Sequence, residues 1–193
     1  PAAPKISAQM NEPIRITQDV TPIAMTEWKP GTFIFDMGQN MVGWIRLKVK
    51  GPAGTKIQLR FSETLNKKGG LFTENLRGAK QTDLYILRGK GIENYEPRFT
   101  YHGFRYVEVT GFPGKPDLES ITGRVVHDDL EQTGTFLTSN SLINKIYRNT
   151  VWGIRGTYRS IPTDCPQRDE RHGWLGDRAI ESRGESFIFD ISK

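Results

Sequence analysis

The chain of 193 residues carries 27 Lys plus Arg against 22 Asp plus Glu, a formal charge of +5, and its length suits one ordinary domain or two small ones with a real core. A hydrophobic content of 36% with 10% aromatics excludes a disordered chain, and apolar runs of a few residues fall far short of the ~20 needed to cross a bilayer. The basic residues alternate with acids all along the chain and form no block, so a nucleic-acid surface is not expected. Cys165 stands alone, which excludes an internal disulfide framework and a Cys-rich zinc site but leaves the compartment open. The start, Pro1-Ala2-Ala3-Pro4, lacks a basic region followed by an apolar stretch, so no secretory leader is expected there.

In chain order, residues 1–28 hold Pro1, Pro4, Pro13 and Pro22 between short extended pieces and read as a linker or a strand arriving from elsewhere. From Thr32 the apolar period becomes two. Residues 32–36, 42–49, 55–61, 82–87, 94–99, 104–110 and 121–126 are β-branched or aromatic runs, separated by turn signals such as Gly51-Pro52-Ala53-Gly54 and Gly111-Phe112-Pro113-Gly114. Seven short strands without intervening helices predict an antiparallel, jelly-roll-like β-sandwich, not a βαβ fold. Its expected core is Phe33, Phe35, Ile45, Leu47, Ile57, Leu59, Phe104 and Tyr106, with some of Leu84 and Ile86.

Beyond Gly134 the period changes again. Ser139-Asn140-Ser141 offers N-cap oxygens, and Leu142, Ile143, Ile146, Val151 and Ile154 with Tyr147 and Tyr158 follow at helical spacing, predicting a helix over 140–156. A second helix is expected over 174–189, with no stop signal after Phe187-Ile188-Phe189. Two helices cannot bury themselves alone, so residues 131–193 are expected to be the start of a larger helical domain, with apolar surface on Trp152, Phe187 and Phe189 that favours self-association.

The densest polar segment runs Asp164-Cys165-Pro166-Gln167-Arg168-Asp169-Glu170-Arg171-His172-Gly173-Trp174-Leu175-Gly176-Asp177. If helical, it would set Glu170, Trp174 and Asp177 on one face; as a loop entering a helix it would bring the same groups close. A Trp ring stacks on the CH groups of a sugar while carboxylates accept its hydroxyl hydrogens, and one protonated carboxylic acid among them can protonate a glycosidic oxygen. Blander readings fit the same letters. Asp164 with Gln167 makes an N-cap box, residues 168–171 make a solvated charge run, Trp174 and Cys165 make core, and lone His172 makes no metal site.

The segment from Thr163 to Asp177 resembles the active-site signature of bacterial α-L-rhamnosidases, which are inverting glycoside hydrolases of family 78. Two earlier stretches resemble the same family: Phe35-Asp36-Met37-Gly38-Gln39-Asn40-Met41-Val42-Gly43-Trp44 and Phe99-Thr100-Tyr101-His102-Gly103-Phe104-Arg105-Tyr106-Val107-Glu108-Val109. The resemblance implies a β-sandwich ahead of an (α/α)6 barrel, with residues 1–28 a linker, 29–130 the sandwich and 131–193 the truncated start of the barrel. It further implies Glu170 as general acid, Asp164, Arg168, Trp174 and Asp177 lining the sugar subsite, no metal or cofactor, and a rhamnose-containing glycan or glycoside as substrate. The sequence departs from the family where Arg178-Ala179 follows Asp177 in place of Ala-Gln, and the family's catalytic base, a later Glu, is not expected within this chain, so the chain alone is expected to be inactive. The alternative is a non-catalytic carbohydrate-binding or scaffolding sandwich. A cavity shared between the charged segment and the sandwich edge would distinguish the enzyme.

Overall fold

The computed structural model describes residues 4–192; Pro1 to Ala3 of the expected linker and Lys193 lie outside the described residues. Ten strands and two helices follow in the order β1 (Ile14–Val20), β2 (Ala24–Lys29), β3 (Thr32–Lys50), β4 (Lys56–Ser62), β5 (Thr82–Ile86), β6 (Ile92–Tyr95), β7 (His102–Thr110), β8 (Ile121–Asp128), α1 (Ser141–Thr157), β9 (Tyr158–Arg159), β10 (Ile161–Pro162) and α2 (Leu175–Glu185). The fold is mainly β. One antiparallel sheet is ordered β1-β8-β3-β7-β4-β5, with β2 and β6 also paired to β3, and it curls around a single apolar core. Residues 14–20 and 24–29, read from sequence as linker or arriving strand, supply β1 and β2 to this sheet. No helix among the described residues is long and apolar enough to cross a membrane.

The runs 32–36 and 42–49 are one strand of 19 residues, not two, because the chain bends without leaving the sheet. The register against β7 slips between Asp36 and Met41, and Gly38 sits in the bend with φ 74°, a left-handed value that glycine adopts without a Cβ penalty. Asp36 locks the bend by accepting from the Gly38 amide at 2.7 Å and from Arg105 Nε and Nη2, each at 2.8 Å. The bond from Arg105 is the main reason the Asp36 carboxyl lies below its usual range.

Phe33, Phe35, Ile45, Leu47, Ile57, Leu59 and Phe104 are all buried as expected, and each such side chain contributes about 1.5–3 kcal/mol. Three expectations are corrected. Tyr106 is only partly buried, because alternation along β7 breaks opposite the β3 bend and Val107 and Val109 take the inward places. Leu84 and Ile86 face outward, 54% and 49% exposed, because inward-facing Tyr85 donates to the buried Glu93 carboxylate at 2.6 Å and stacks on Tyr95. The run at 94–99 leaves the sheet after Tyr95, ahead of Pro97 and of Phe99 at φ 60°.

The helix α1 starts one residue beyond Asn140, whose side chain accepts from the Leu142 and Ile143 amides. The helix α2 stops at Glu185, four residues before the expected end, and the chain turns so that Phe189 bridges to Gln132. Ile188 and Phe189 thereby pack on Ile154 and Tyr158, and Trp152 leans on the sandwich core. Of the three residues expected to be exposed, only Phe187 is, at 72%.

His127 closes the joint between sheet and helix. Its Nδ1 donates to the Asp128 carbonyl at 2.6 Å, and its Nε2 accepts from Arg155 Nε of α1 at 2.9 Å. Burial is the main cause that lowers it to about 4, against the pull of the Asp128 carbonyl and aided by the charges of Arg155 and Arg159. An unfolded chain takes up this proton near pH 6.5, before the folded one does. Stability is therefore full above pH 6.5 and falls as pH drops toward 4, by up to roughly 3 kcal/mol. Urea midpoints measured across that window should decline in the native protein and stay flatter in His127→Gln.

Candidate active site

The polar segment is a closed loop that enters α2 at Leu175, the second of the two readings offered by its sequence. After α1 the short β9–β10 hairpin turns at Ser160, whose amide donates to both Asp128 oxygens at 2.9 and 2.7 Å. The loop then shuts on itself: the Asp164 amide donates to the His172 carbonyl at 2.9 Å and the His172 amide to Asp164 Oδ1 at 2.8 Å. Asp164 thus caps the end of its own loop, and the N-cap box with Gln167 does not form. Inside the ring, Arg168 Nη2 reaches Asp164 Oδ2 at 3.1 Å and Glu170 Oε2 at 2.9 Å, while its Nε donates to Glu170 Oε2 at 3.0 Å. Trp174, half exposed at the head of α2, donates its indole N–H to Glu170 Oε1 at 3.3 Å. Burial draws the Asp164 carboxyl upward, yet the His172 amide, the Cys165 thiol and Arg168 together hold it below its ordinary range.

The structure therefore gathers Asp164, Arg168, Glu170 and Trp174 into one cluster. Asp177 lies exposed in the first turn of α2, and no hydrogen bond or ion pair joins it to them. Ligand atoms of Asp164, Cys165 and Glu170 fall within 4.8 Å of one another, but the Arg168 guanidinium already binds both carboxylates there and would oppose a cation. Burial pushes the Cys165 thiol up, so it is not a ready thiolate.

The sandwich seats this loop through residues that local pattern did not single out. Arg77 Nη1 donates to Glu170 Oε2 at 3.1 Å, the Gly78 amide to Asp169 Oδ2 at 2.9 Å, and Gln81 Nε2 to the Gln167 carbonyl. Gln81 is steadied by His102, which also bonds Asp83 at 2.9 Å. Arg171 donates to the Tyr101 carbonyl at 3.1 Å and lies over the Tyr101 ring. At Gly103 a Cβ would come within 2.9 Å of Pro166, so only glycine lets the loop rest on β7. A cavity of about 830 Å³ opens beside the loop. Thr163, His172 and Gly173 line it from the loop side, Trp44 from β3 and Phe99 and Tyr101 from the segment ahead of β7, whereas Glu170, Asp164 and Trp174 are not among its walls.

Residues 26–127 match the model of the bacterial alpha-L-rhamnosidase concanavalin-like domain, and residues 131–193 that of the bacterial alpha-L-rhamnosidase 6 hairpin glycosidase domain. The chain belongs to the bacterial α-L-rhamnosidases of glycoside hydrolase family 78. An α-L-rhamnosidase of Streptomyces avermitilis is 54% identical to this chain over 173 residues, covering 90% of the chain and 17% of the relative. The solved structure of the Streptomyces avermitilis α-L-rhamnosidase complexed with L-rhamnose superposes with a TM-score of 0.95 at 50% identity, covering 97% of this chain and 18% of that one. The α-L-rhamnosidase of Dictyoglumus thermophilum gives 0.94 at 50% identity, over 95% and 21%. The chain thus spans about a fifth of the length of the relatives it matches. Among the three motifs that carry the family resemblance, Asp36 of the first binds Arg105 of the second, and Tyr101 and Gly103 of the second support Arg171 and Pro166 of the third.

Proposed function

We propose that the whole protein hydrolyses terminal α-linked L-rhamnose with inversion, with Glu170 as general acid. The observation that carries this reading is the Glu170 carboxylate, fixed at one oxygen by guanidinium groups and at the other by an exposed Trp174. Glu170 gives its proton to the glycosidic oxygen as the C1–O bond breaks, and a water enters C1 from the opposite face, losing its proton to a second carboxylate ~6.5–9.5 Å away. Trp174 offers its face to sugar CH groups, and Asp164, Arg168 and Asp177 bind hydroxyls. Residues 29–130, with β1 and β2 completing their sheet, act as the sandwich and 131–193 as the opening of the catalytic helical domain, a division supported by the spans of the two family models.

The base belongs to the later part of the family's barrel, so the isolated chain is proposed to be inactive. Proton NMR of the full-length enzyme turning over an aryl α-L-rhamnoside tests the mechanism: β-L-rhamnose should appear first and mutarotate afterwards. First appearance of the α-anomer would mean retention and would remove the water-activating base from the scheme. Purified residues 1–193 in the same assay should release no rhamnose.

A further inference from the structure

Glu170 is held unequally at its two oxygens. Oε2 accepts from Arg77 Nη1 at 3.1 Å and Arg168 Nε at 3.0 Å, with Arg168 Nη2 at 2.9 Å, whereas Oε1 has only the Trp174 indole at 3.3 Å. Two N–H bonds onto one carboxylate oxygen, with a third guanidinium nitrogen in ion-pair contact, use up its lone pairs and leave no room for a proton. The Oε1 contact is longer than a strong N–H···O bond.

Arg77 comes from the other domain, 93 residues away in sequence. Arg77 follows directly on a 3-10 turn at Glu74–Leu76, in which Leu76 is buried, and itself adopts φ 54°. The next residue, Gly78, donates to Asp169, the neighbour of Glu170. The neighbours of both partners are thereby joined as well, by a main-chain amide on one side and a carboxylate on the other.

We infer that Arg77 is a positioning residue for the acid: with Arg168 it occupies Glu170 Oε2, so that the proton is carried and delivered by Oε1. This rests on Glu170 being the general acid, as proposed above. In the step, the Oε1 proton passes to the glycosidic oxygen, the C1–O bonding pair stays with that oxygen, and Glu170 becomes a carboxylate. Arg77 and Arg168 face the negative charge that develops. The Arg77 side chain is 59% exposed, and an exposed ion pair contributes little to folding, so its removal should be felt in the chemistry more than in stability.

The test compares Arg77→Ala, Arg77→Lys and Glu170→Gln in the full-length enzyme, on an activated aryl rhamnoside and on a rhamnosyl disaccharide with a poor leaving group. Arg77→Ala should lower kcat on the disaccharide on the order of 10- to 100-fold with KM nearly unchanged, and change the aryl substrate far less. Arg77→Lys, which keeps the charge, should recover part of the loss, and melting temperatures should match the native enzyme. Equal loss on both substrates for Arg77→Ala, with Glu170→Gln still selective, would overturn the inference and leave Arg77 a structural tie. Equal loss for Glu170→Gln would overturn both the inference and the reading of Glu170 as the acid.

Discussion

Glu170→Gln in the full-length enzyme is expected to lower hydrolysis of rhamnosides with poor leaving groups by ~10²–10⁴-fold, the usual contribution of a general acid, while rhamnose binding persists. The amide carbonyl can keep the bonds from Arg77 and Arg168, so the loop should stay closed; what is lost is the proton for the departing oxygen. Activated aryl rhamnosides leave without protonation and should suffer far less. Trp174→Ala and Asp177→Asn provide the contrast, since both substrates should decline together if those residues only bind sugar. Equal harm by Glu170→Gln to both substrates would move the acid elsewhere. Asp169 already accepts from the Gly78 amide, so Asp177, which has no hydrogen bond or ion pair among the described residues, would be next in line.

Arg178→Met is expected to cost about 3–5 kcal/mol of stability, because it strands a buried carboxylate. Glu185 is 4% exposed and is held by both Arg178 terminal nitrogens, one at 2.6 Å, and by the Tyr158 hydroxyl at 2.8 Å. Arg178 also donates to that hydroxyl at 2.7 Å, so the triad ties α2 to the end of α1. In a chain of this size such a loss corresponds to roughly 10 °C or more in melting temperature. The double variant Arg178→Met with Glu185→Leu removes both charges and should recover most of it. A single variant that melts with the native protein would show that the pair contributes nothing.

What was legible in the sequence was short-ranged. Asn140 announces α1 because a cap acts within three residues, and the alternation of residues 44–49 announces a half-buried strand because the period is local. The inward face of β5 was not legible, since Glu93 and His102 choose it from other strands and override the apolar letters Leu84 and Ile86. Glu170 and Trp174 do meet, as their spacing predicted, but through a closed loop and not a helical turn. Arg77 carried no local mark, because its meaning depends on a partner in another domain. Arg178, marked only as a departure from the family pattern, turns out to be the half-buried ion-pair partner of the buried Glu185.

The pairing of β1 with β8 places Ile14 opposite Asp128. During synthesis β1 leaves the ribosome more than a hundred residues before the strand it pairs with, and at ordinary elongation rates it waits roughly 5–20 s. The strand β3 faces a similar delay, since it borders β2, β6, β7 and β8 and only β2 precedes it. The nascent chain therefore exposes Phe33, Phe35, Ile45 and Leu47 until the last strand emerges, and this interval is when trigger-factor-like holdases or self-aggregation would compete for it. Once β8 docks, opening one half of the bent strand strips the other of a neighbour, so amides across the whole sheet should exchange with solvent together.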